Sequence, residues 1–187
     1  ELLWYLDEAL RMPAAAPIRP DLVRASAEVK AITRSPAERI LDTDLDDVRA
    51  PVAELLREAS RLTRASIRPL PVPRATRRIA PGADLIGADL AGLDLRGAEL
   101  RGSLLIAADL SGADLSFAEL IGADLRDTNL AGADLATALY LTQLQVNAAR
   151  GDARTTLPSN LTRPSHWAAG PADHCTQNSL PSGSAIT

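Results

Sequence analysis

Residues able to ligate a metal ion are concentrated near the end of the chain. Both histidines lie there, His166 and His174, and Asp173 and Cys175 flank the second. Zinc takes imidazole and thiolate ligands, but a structural zinc site needs four of them at characteristic spacings. The Asp-His-Cys triplet lacks that spacing and stands in a segment rich in Gly, Pro, Ser and Asn. We therefore predict no metal site in the chain.

A second acidic group could be mistaken for a calcium loop. It comprises Asp42, Asp44, Asp46 and Asp47. The glycine and the closing glutamate of such a loop are missing, so these acids are expected to start a helix, where negative charge is favourable.

Motifs for catalysis are missing as well. The many glycines recur by period and no Gly-Lys-Ser/Thr follows them, so there is no phosphate loop. No histidine lies near a plausible nucleophile in the repeats, and regularly spaced aspartates do not form an acid/base pair. We predict a protein that is not an enzyme, with no cofactor and no small-molecule substrate.

The dominant feature is a five-residue period over residues 83–141. Leucine fills one slot eleven times in succession, and Tyr140 takes the twelfth. A small residue stands two positions earlier, alanine in nine of twelve units, with Leu93, Ser103 and Thr128 as exceptions. The predicted structural core is Leu85, Leu90, Leu95, Leu100, Leu105, Leu110, Leu115, Leu120, Leu125, Leu130, Leu135 and Tyr140.

Neither a helix nor a long strand gives every fifth residue the same environment. A spacing of two places leucine and the small residue on one side of a short extended segment, and the next two residues turn the chain. Glycine ends seven of the units, as a corner with unusual dihedral angles favours. Four units would close a square coil, so residue n stacks on residue n+20 at about 4.8 Å. Twelve units predict three coils of a solenoid whose narrow interior holds only side chains.

This repeat resembles the pattern A(D/N)LxX of the pentapeptide-repeat proteins of bacteria. The resemblance implies a right-handed quadrilateral β-helix. The residues after the repeats resemble the closing segment of many bacterial members, in which we expect Leu157 and Trp167 to pack back onto the solenoid. The matching residues are Leu141, Thr142, Gln143, Gly151, Asp152, Thr156, Leu157, Pro158, Arg163, Pro164, His166 and Trp167.

The fold class is thus predicted as a mainly β solenoid, preceded by a small α-helical region and closed by a short C-terminal helix. Helices are predicted over residues 2–11, 20–33 and 51–65, with Ser35 and Glu38 as the capping box of a short helix between the last two. In the closing helix, Thr142 is the expected cap, Leu144 and Ala148 the inner face, and Gly151 the end. The predicted domains are 1–66 (helical), 67–82 (Pro/Arg-rich linker and N-terminal cap), 83–141 (repeats), 142–167 (C-terminal cap) and 168–187 (disordered tail).

The outside of the solenoid is not uniform. Asp94, Asp114 and Asp134 form an acidic ladder, in which close like charges are expected to raise a pKa or attract a cation. An apolar corner is expected around Ile86, Leu104, Ile106 and Ile121, covered by the N-terminal helices or by another subunit, with the helices preferred. Together these seven residues form the candidate interaction surface. Phe117 points outward at a corner usually held by glycine and is expected to pack against a neighbouring segment.

The charge of the chain is unevenly distributed. Residues 83–140 hold 3 basic and 10 acidic residues, a net of −7 within a chain of −4. Outward aspartates keep a regular stack soluble, although a basic partner would also suit them. A single cysteine, no apolar run of membrane length and no secretory signal predict a cytoplasmic protein.

We expect a protein partner or self-association, with no direct nucleic-acid binding and no membrane binding. The family resemblance also implies an alternative function, DNA mimicry directed at DNA gyrase with quinolone resistance. Three coils and a Pro-rich ending depart from the longer, dimeric mimics.

Overall fold

The computed structural model describes residues 1–65 and 79–167. Most of the linker predicted over residues 67–82 and the whole tail 168–187 lie outside these ranges. The described helices are α1 (Leu2–Arg11), α2 (Arg19–Thr33), α3 (Ala37–Leu41), α4 (Leu45–Arg64) and α5 (Gln143–Ala148), with 3₁₀ turns at Pro13–Ile18 and Ser165–Trp167.

The first two helices lie where the sequence places them. Helix α1 has the predicted bounds and buries Tyr5, Leu6 and Ala9 on one face. Helix α2 begins one residue before Pro20 and ends at Thr33, with Leu22 and Val29 buried. The spacing of the apolar residues was sufficient to predict both helices, because each helix packs one apolar face against its neighbours.

The predicted capping box before α3 is wrong. The hydroxyl of Ser35 donates a hydrogen bond of 3.0 Å to the carbonyl oxygen of Ala31. It therefore satisfies a carbonyl in the last turn of α2, where helix ends leave such groups without a partner. Helix α3 follows Pro36 with no side-chain cap.

Helix α4 starts earlier than predicted, at Leu45 instead of Pro51. Asp44 caps it, because its Oδ1 accepts a hydrogen bond of 2.8 Å from the main-chain N–H of Asp46. Asp46 and Asp47 stand in the first turn, so the acidic group marks a helix start, as the sequence indicated. Pro51 lies inside the helix, where it removes one main-chain donor without ending the helix.

The repeats form a solenoid of isolated bridges. In the described residues no regular strand is present, and each repeat contributes one residue to a parallel bridge, as in Asp84 with Leu104 and Asp109 with Asn129. Of the ten bridges in the described residues, eight join residues 20 apart, the register expected from four units per coil. The other two join Asn129 to Arg150 and Asp134 to Thr156, in the C-terminal cap. Leu85 N–H donates to the Leu104 carbonyl, and Leu104 N–H donates to the Ala83 carbonyl, both at 2.9 Å. The coils are therefore held by short bridges rather than by continuous strands.

The interior follows the five-residue register. All eleven leucines of the slot are 5% exposed or less, and Tyr140 is fully buried. Two of the residues that replace alanine have hydroxyl groups, and both form hydrogen bonds within the solenoid. Thr128 Oγ1 donates to the Leu105 carbonyl at 2.7 Å, and Ser103 Oγ donates to the Ala80 carbonyl at 3.2 Å. Leu93 is half-buried against the same core.

The corners use left-handed backbone. Every corner slot from position 82 to position 132 has a positive φ, including the non-glycine residues Ala107 at 54°, Phe117 at 58° and Asp127 at 57°. L-amino acids disfavour this region, which is why glycine is common there. The fold therefore imposes the same left-handed backbone conformation on these three residues.

In the C-terminal cap, helix α5 buries a different face from the one predicted. Thr142 and Gln145 form a capping box, and Gln145 Nε2 also donates to the carbonyls of Leu120 (2.7 Å) and Ala123 (2.9 Å). That anchoring turns Val146 inward, fully buried, and leaves Leu144 77% exposed and Ala148 exposed. The predicted inner face was wrong for this reason.

Trp167 closes the cap. It is 1% exposed, and its Nε1 donates to the Ala149 carbonyl at 2.9 Å. Its ring lies against Gly151, where an added Cβ would come within 2.5 Å of it. Gly151 is therefore required by this close approach and does not end α5, which stops at Ala148. Leu157 also packs on the core, as predicted.

Candidate interaction surfaces

The 20-residue register divides the outward residues into four faces. We name them by their bridge residues: the open face (Asp84, Leu104, Asp124), the amide face (Asp89, Asp109, Asn129), the acidic face (Asp94, Asp114, Asp134) and the covered face (Glu99, Glu119, Leu139). The four faces enclose the same Leu/Ala interior, so they differ only in their outward residues and in what those residues contact.

The N-terminal helices pack on the covered face. Leu139 and Tyr140 belong to one buried cluster with residues of α1, α2 and α4, and Ile121 and Phe117 pack at its edge. The Tyr140 ring meets the Tyr5 ring edge-on, with centroids 5.9 Å apart. Phe117 therefore packs against a neighbouring segment, as predicted, despite its strained backbone.

A buried glutamate joins α4 to this face. Glu119 is 1% exposed, and its Oε2 accepts a hydrogen bond of 2.9 Å from Ser60 Oγ. Arg64 Nη2 and Arg101 Nη1 each lie 3.5 Å from its carboxylate oxygens. Arg64 also donates to Glu99 Oε1 at 2.7 Å. A buried carboxylate is costly unless it is paired, so Ser60 and the two arginines offset the cost of burying Glu119 beneath α4.

Sequence reasoning missed Glu119, Arg64 and Ser60. The available signal was a departure from the repeat: the slot before leucine holds glutamate only at positions 99 and 119, which share one face. The longer side chain reaches a partner that aspartate in the same slot does not reach. Position 139 continues this face with a buried leucine.

On the acidic face, the aspartates are turn-forming residues. Oδ1 of Asp94, Asp114 and Asp134 accepts a hydrogen bond from the main-chain N–H two residues later, at 3.1, 3.0 and 3.0 Å. Arg96 pairs with Asp94 at 2.6 Å and reaches Asp114 at 3.5 Å. This use of aspartate recurs at other repeats and stabilises the local turn.

The expected rise in pKa on the acidic face is not found at Asp94 or Asp134. The hydrogen bond from Arg96 holds the pKa of Asp94 below its ordinary value. The hydroxyl of Thr156 donates to Asp134 Oδ1 at 2.5 Å and lowers the pKa of that carboxyl. Donors directed at the carboxylates outweigh the mutual repulsion of the ladder.

The predicted apolar corner divides into two parts. Ile121 is half-buried beside the helices, whereas Leu104, on the open face itself, is 39% exposed. Ile86 and Ile106 lie at the far corner of that face, where Ile86 is 53% exposed and Ile106 is half-buried. Burial under the helices was therefore the wrong expectation for Ile86 and Leu104. We call Ile86, Leu104 and Ile106 the open patch.

The described residues include neither a metal-binding cluster nor a membrane-spanning helix. Among residues 1–65 and 79–167, no group of three or more His, Cys, Asp or Glu side chains is placed to hold a metal ion. His174, Asp173 and Cys175 lie outside those ranges, and the His166 ring nitrogen Nε2 lies 3.1 Å from the Ala149 carbonyl. In the same part of the chain, every helix is too short or too polar to cross a bilayer.

A family model matches most of the repeats. The family model described as "Pentapeptide repeats (8 copies)" matches residues 78–105 and 108–138. The solenoid is a pentapeptide-repeat domain. A crystal structure of a pentapeptide repeat protein from the thylakoid lumen of Arabidopsis thaliana is 30% identical, covering 44% of this chain and 52% of its own, with a TM-score of 0.32.

A bacterial relative extends the similarity beyond the pentapeptide-repeat domain. The uncharacterized protein YybG of Bacillus subtilis (strain 168) is 53% identical over 167 residues, which is 89% of this chain. That alignment is much longer than the repeats themselves, so it includes flanking residues. The chain spans 59% of the length of this relative.

Proposed function

We propose that this chain is a non-catalytic, cytoplasmic protein-interaction module, built on a right-handed quadrilateral β-helix of about three coils. The family and the 20-residue bridge register support this architecture. Repeat solenoids present regular flat faces, which suit the binding of another protein. Here one face carries the N-terminal helices, and the open face with its patch is the surface proposed for a partner.

One observation carries the proposal: Leu104 occupies an outward slot in which its bridge neighbours are Asp84 and Asp124. An exposed leucine there gives the repeat no interior packing, since Leu105 already fills the core. Beside it, Ile86 occupies a slot that holds Arg96 and Arg126 in other units. Clustered apolar residues on an otherwise polar surface are typical of interaction sites.

The surroundings of the open patch suit a protein contact. Arg126 stacks beyond Ile106 in the same column and pairs with Asp124 at 2.6 Å. An apolar centre with a charged rim is the usual composition of a protein interface. The partner is either another protein or a second copy of this chain.

Two substitutions test the proposal without disturbing the repeat. Leu104→Asp restores the residue of neighbouring units, and Ile86→Arg introduces the residue of equivalent slots. The double variant is expected to keep the fold and to lose the partner, in affinity capture from bacterial lysate for another protein and in sedimentation analysis for self-association. Ala91→Arg, at an exposed corner between the amide and acidic faces, is the control and should retain binding.

Either of two results would contradict the proposal. One is a double variant that captures the same protein, or self-associates as strongly, as the unchanged chain. The other is a chain that is strictly monomeric and captures no specific protein.

DNA mimicry directed at DNA gyrase is a second candidate, favoured by the net charge of −7 over residues 83–140. A mimic would inhibit supercoiling by gyrase or protect the enzyme from quinolones. A supercoiling assay at micromolar protein that shows neither effect removes this candidate. Such a result leaves the open patch and its partner untouched.

A further inference from the structure

A cavity lies between the helical region and the solenoid. It has a volume of about 240 Å³, is partly open to solvent, and is lined by residues of α1, α4 and the corner of the covered face. Leu2, Leu56 and Ile121 give it apolar walls. Cavities of this kind, mostly apolar with a few polar groups, are the usual form of small-molecule sites.

The polar groups around the cavity are mainly cationic. Arg49 and Arg57 come from α4 and Arg101 comes from the solenoid, against the single acid Glu119. Arg57 is paired with Glu54 on the surface of α4, whereas Arg49 forms no ion pair with any residue in 1–65 or 79–167. The lining thus has an excess of positive charge, which favours an anion.

Arg101 lines this cavity and carries one donor without an acceptor in the described part of the chain. Its Nη1 is buried and has no hydrogen-bond acceptor among the described residues. Glu119 Oε1 is 3.5 Å away, and Oε2 of the same carboxylate already accepts from Ser60. A buried N–H without an acceptor is unfavourable, and a carboxylate supplies the strongest one.

We propose that this cavity binds a small amphipathic carboxylate of the medium-chain fatty acid class. The carboxylate would accept from Arg101, and Arg49 would add further positive charge. The hydrocarbon chain would lie against Leu2, Leu56 and Ile121. The ligand undergoes no reaction, and it links α4 to the solenoid because the two sides of the cavity come from different elements.

Calorimetric titration of the full chain with octanoate tests the proposal. Saturable binding of one octanoate per chain is expected, with a rise in melting temperature, because the ligand stabilises only the folded state. Octanol lacks the charge and acetate lacks the hydrocarbon chain, so each is expected to bind at least about tenfold more weakly. No saturable binding of octanoate, or equal binding of octanol, would overturn the proposal.

Variants locate the binding. Arg101→Gln is expected to weaken octanoate binding by about tenfold or more, since it removes the charged donor. Arg96→Gln, at the equivalent slot of the preceding unit, is the matched control and should bind as the unchanged chain does. Ala53→Phe fills the cavity from α4 and should abolish binding. Circular dichroism verifies that each variant is folded, and unchanged binding by folded Arg101→Gln or Ala53→Phe would also refute the site.

Discussion

The hydroxyl of Tyr140 donates a hydrogen bond of 3.0 Å to the carbonyl oxygen of Leu56, 84 residues earlier in the chain. It joins the last repeat slot to the middle of α4. Eleven leucines precede Tyr140 in that slot, and leucine has no group able to make this bond. The departure from the repeat is therefore explained by the docking of the helices.

Tyr140→Phe tests the contribution of that hydrogen bond. Burial raises the pKa of Tyr140 above its ordinary value, so the phenol stays protonated and remains a donor at neutral pH. Its removal is expected to lower the free energy of unfolding by about 1 kcal/mol, measured by urea denaturation. Tyr140→Leu should cost more, because it also removes the ring packed against Tyr5. Equal stability of Tyr140→Phe and the unchanged chain would show that the bond is unimportant.

Glu119→Ala is expected to be strongly destabilising. The change leaves Arg101 without an ion-pair partner among the described residues and Ser60 without its acceptor, whereas Arg64 keeps Glu99. Loss of one partner of a buried ion pair costs up to about 3–5 kcal/mol. Glu99→Ala is the matched control, because Glu99 holds the same slot and pairs with the same Arg64, but its side chain is 45% exposed. Its loss should cost less than about 1 kcal/mol. Chemical denaturation that gave equal losses for the two variants would contradict the role assigned to Glu119.

The left-handed backbone at the corners predicts that two substitutions, Gly112→Ala and Ala107→Gly, change stability in opposite directions. Gly112 has a φ of +64° and no atom within 4 Å of an added Cβ, so Gly112→Ala reports backbone strain alone. The expected loss is about 1–2 kcal/mol. Ala107→Gly removes the same strain at φ 54°, and the expected gain is smaller, up to about 1 kcal/mol, since glycine also loosens the unfolded chain. A gain in stability for Gly112→Ala would contradict this account of the corners.

Asp134 should make stability sensitive to acid. Its folded pKa is lowered by the Thr156 hydroxyl, so its contribution is present above the unfolded pKa, near 3.9, and is lost as pH falls through the folded pKa. Thr156→Val is expected to raise the pKa of Asp134 in a carboxyl NMR titration and to reduce that acid-dependent loss. Asp94 is the internal control, since Arg96 and not Thr156 holds its carboxylate. An unchanged pKa of Asp134 in the variant would contradict the assignment.

The repeat was predictable because one constraint acts on every unit. Leucine must enter the core every fifth residue, which specifies both the register and the buried residues such as Leu110 and Leu130. Helices α1 and α2 were predictable for a similar reason, since their apolar spacing is local. The bound of α4 was wrong because a proline that would suit a helix start, Pro51, can also lie inside a helix capped upstream by Asp44.

The contacts between the helices and the solenoid could not be predicted in the same way. They depend on how α4 lies across the covered face, and no local pattern specifies that. Glu119 looks like an ordinary outward position until its partner Ser60 is placed beside it, whereas Ile121 packs against the helices, as its apolar side chain indicated. The same problem explains why Ile86 and Leu104 were expected beneath the helices, when the helices lie on another face.

Hydroxyl-radical footprinting by mass spectrometry tests most directly whether the helices cover one face and leave the other open. In the isolated chain, Leu104 and Ile86 are expected to be oxidised rapidly, because they are 39% and 53% exposed. Leu139 has an equivalent outward slot but is 5% exposed, so it should be oxidised several times more slowly than Leu104. Equal rates for Leu104 and Leu139 would contradict the division between open and covered faces.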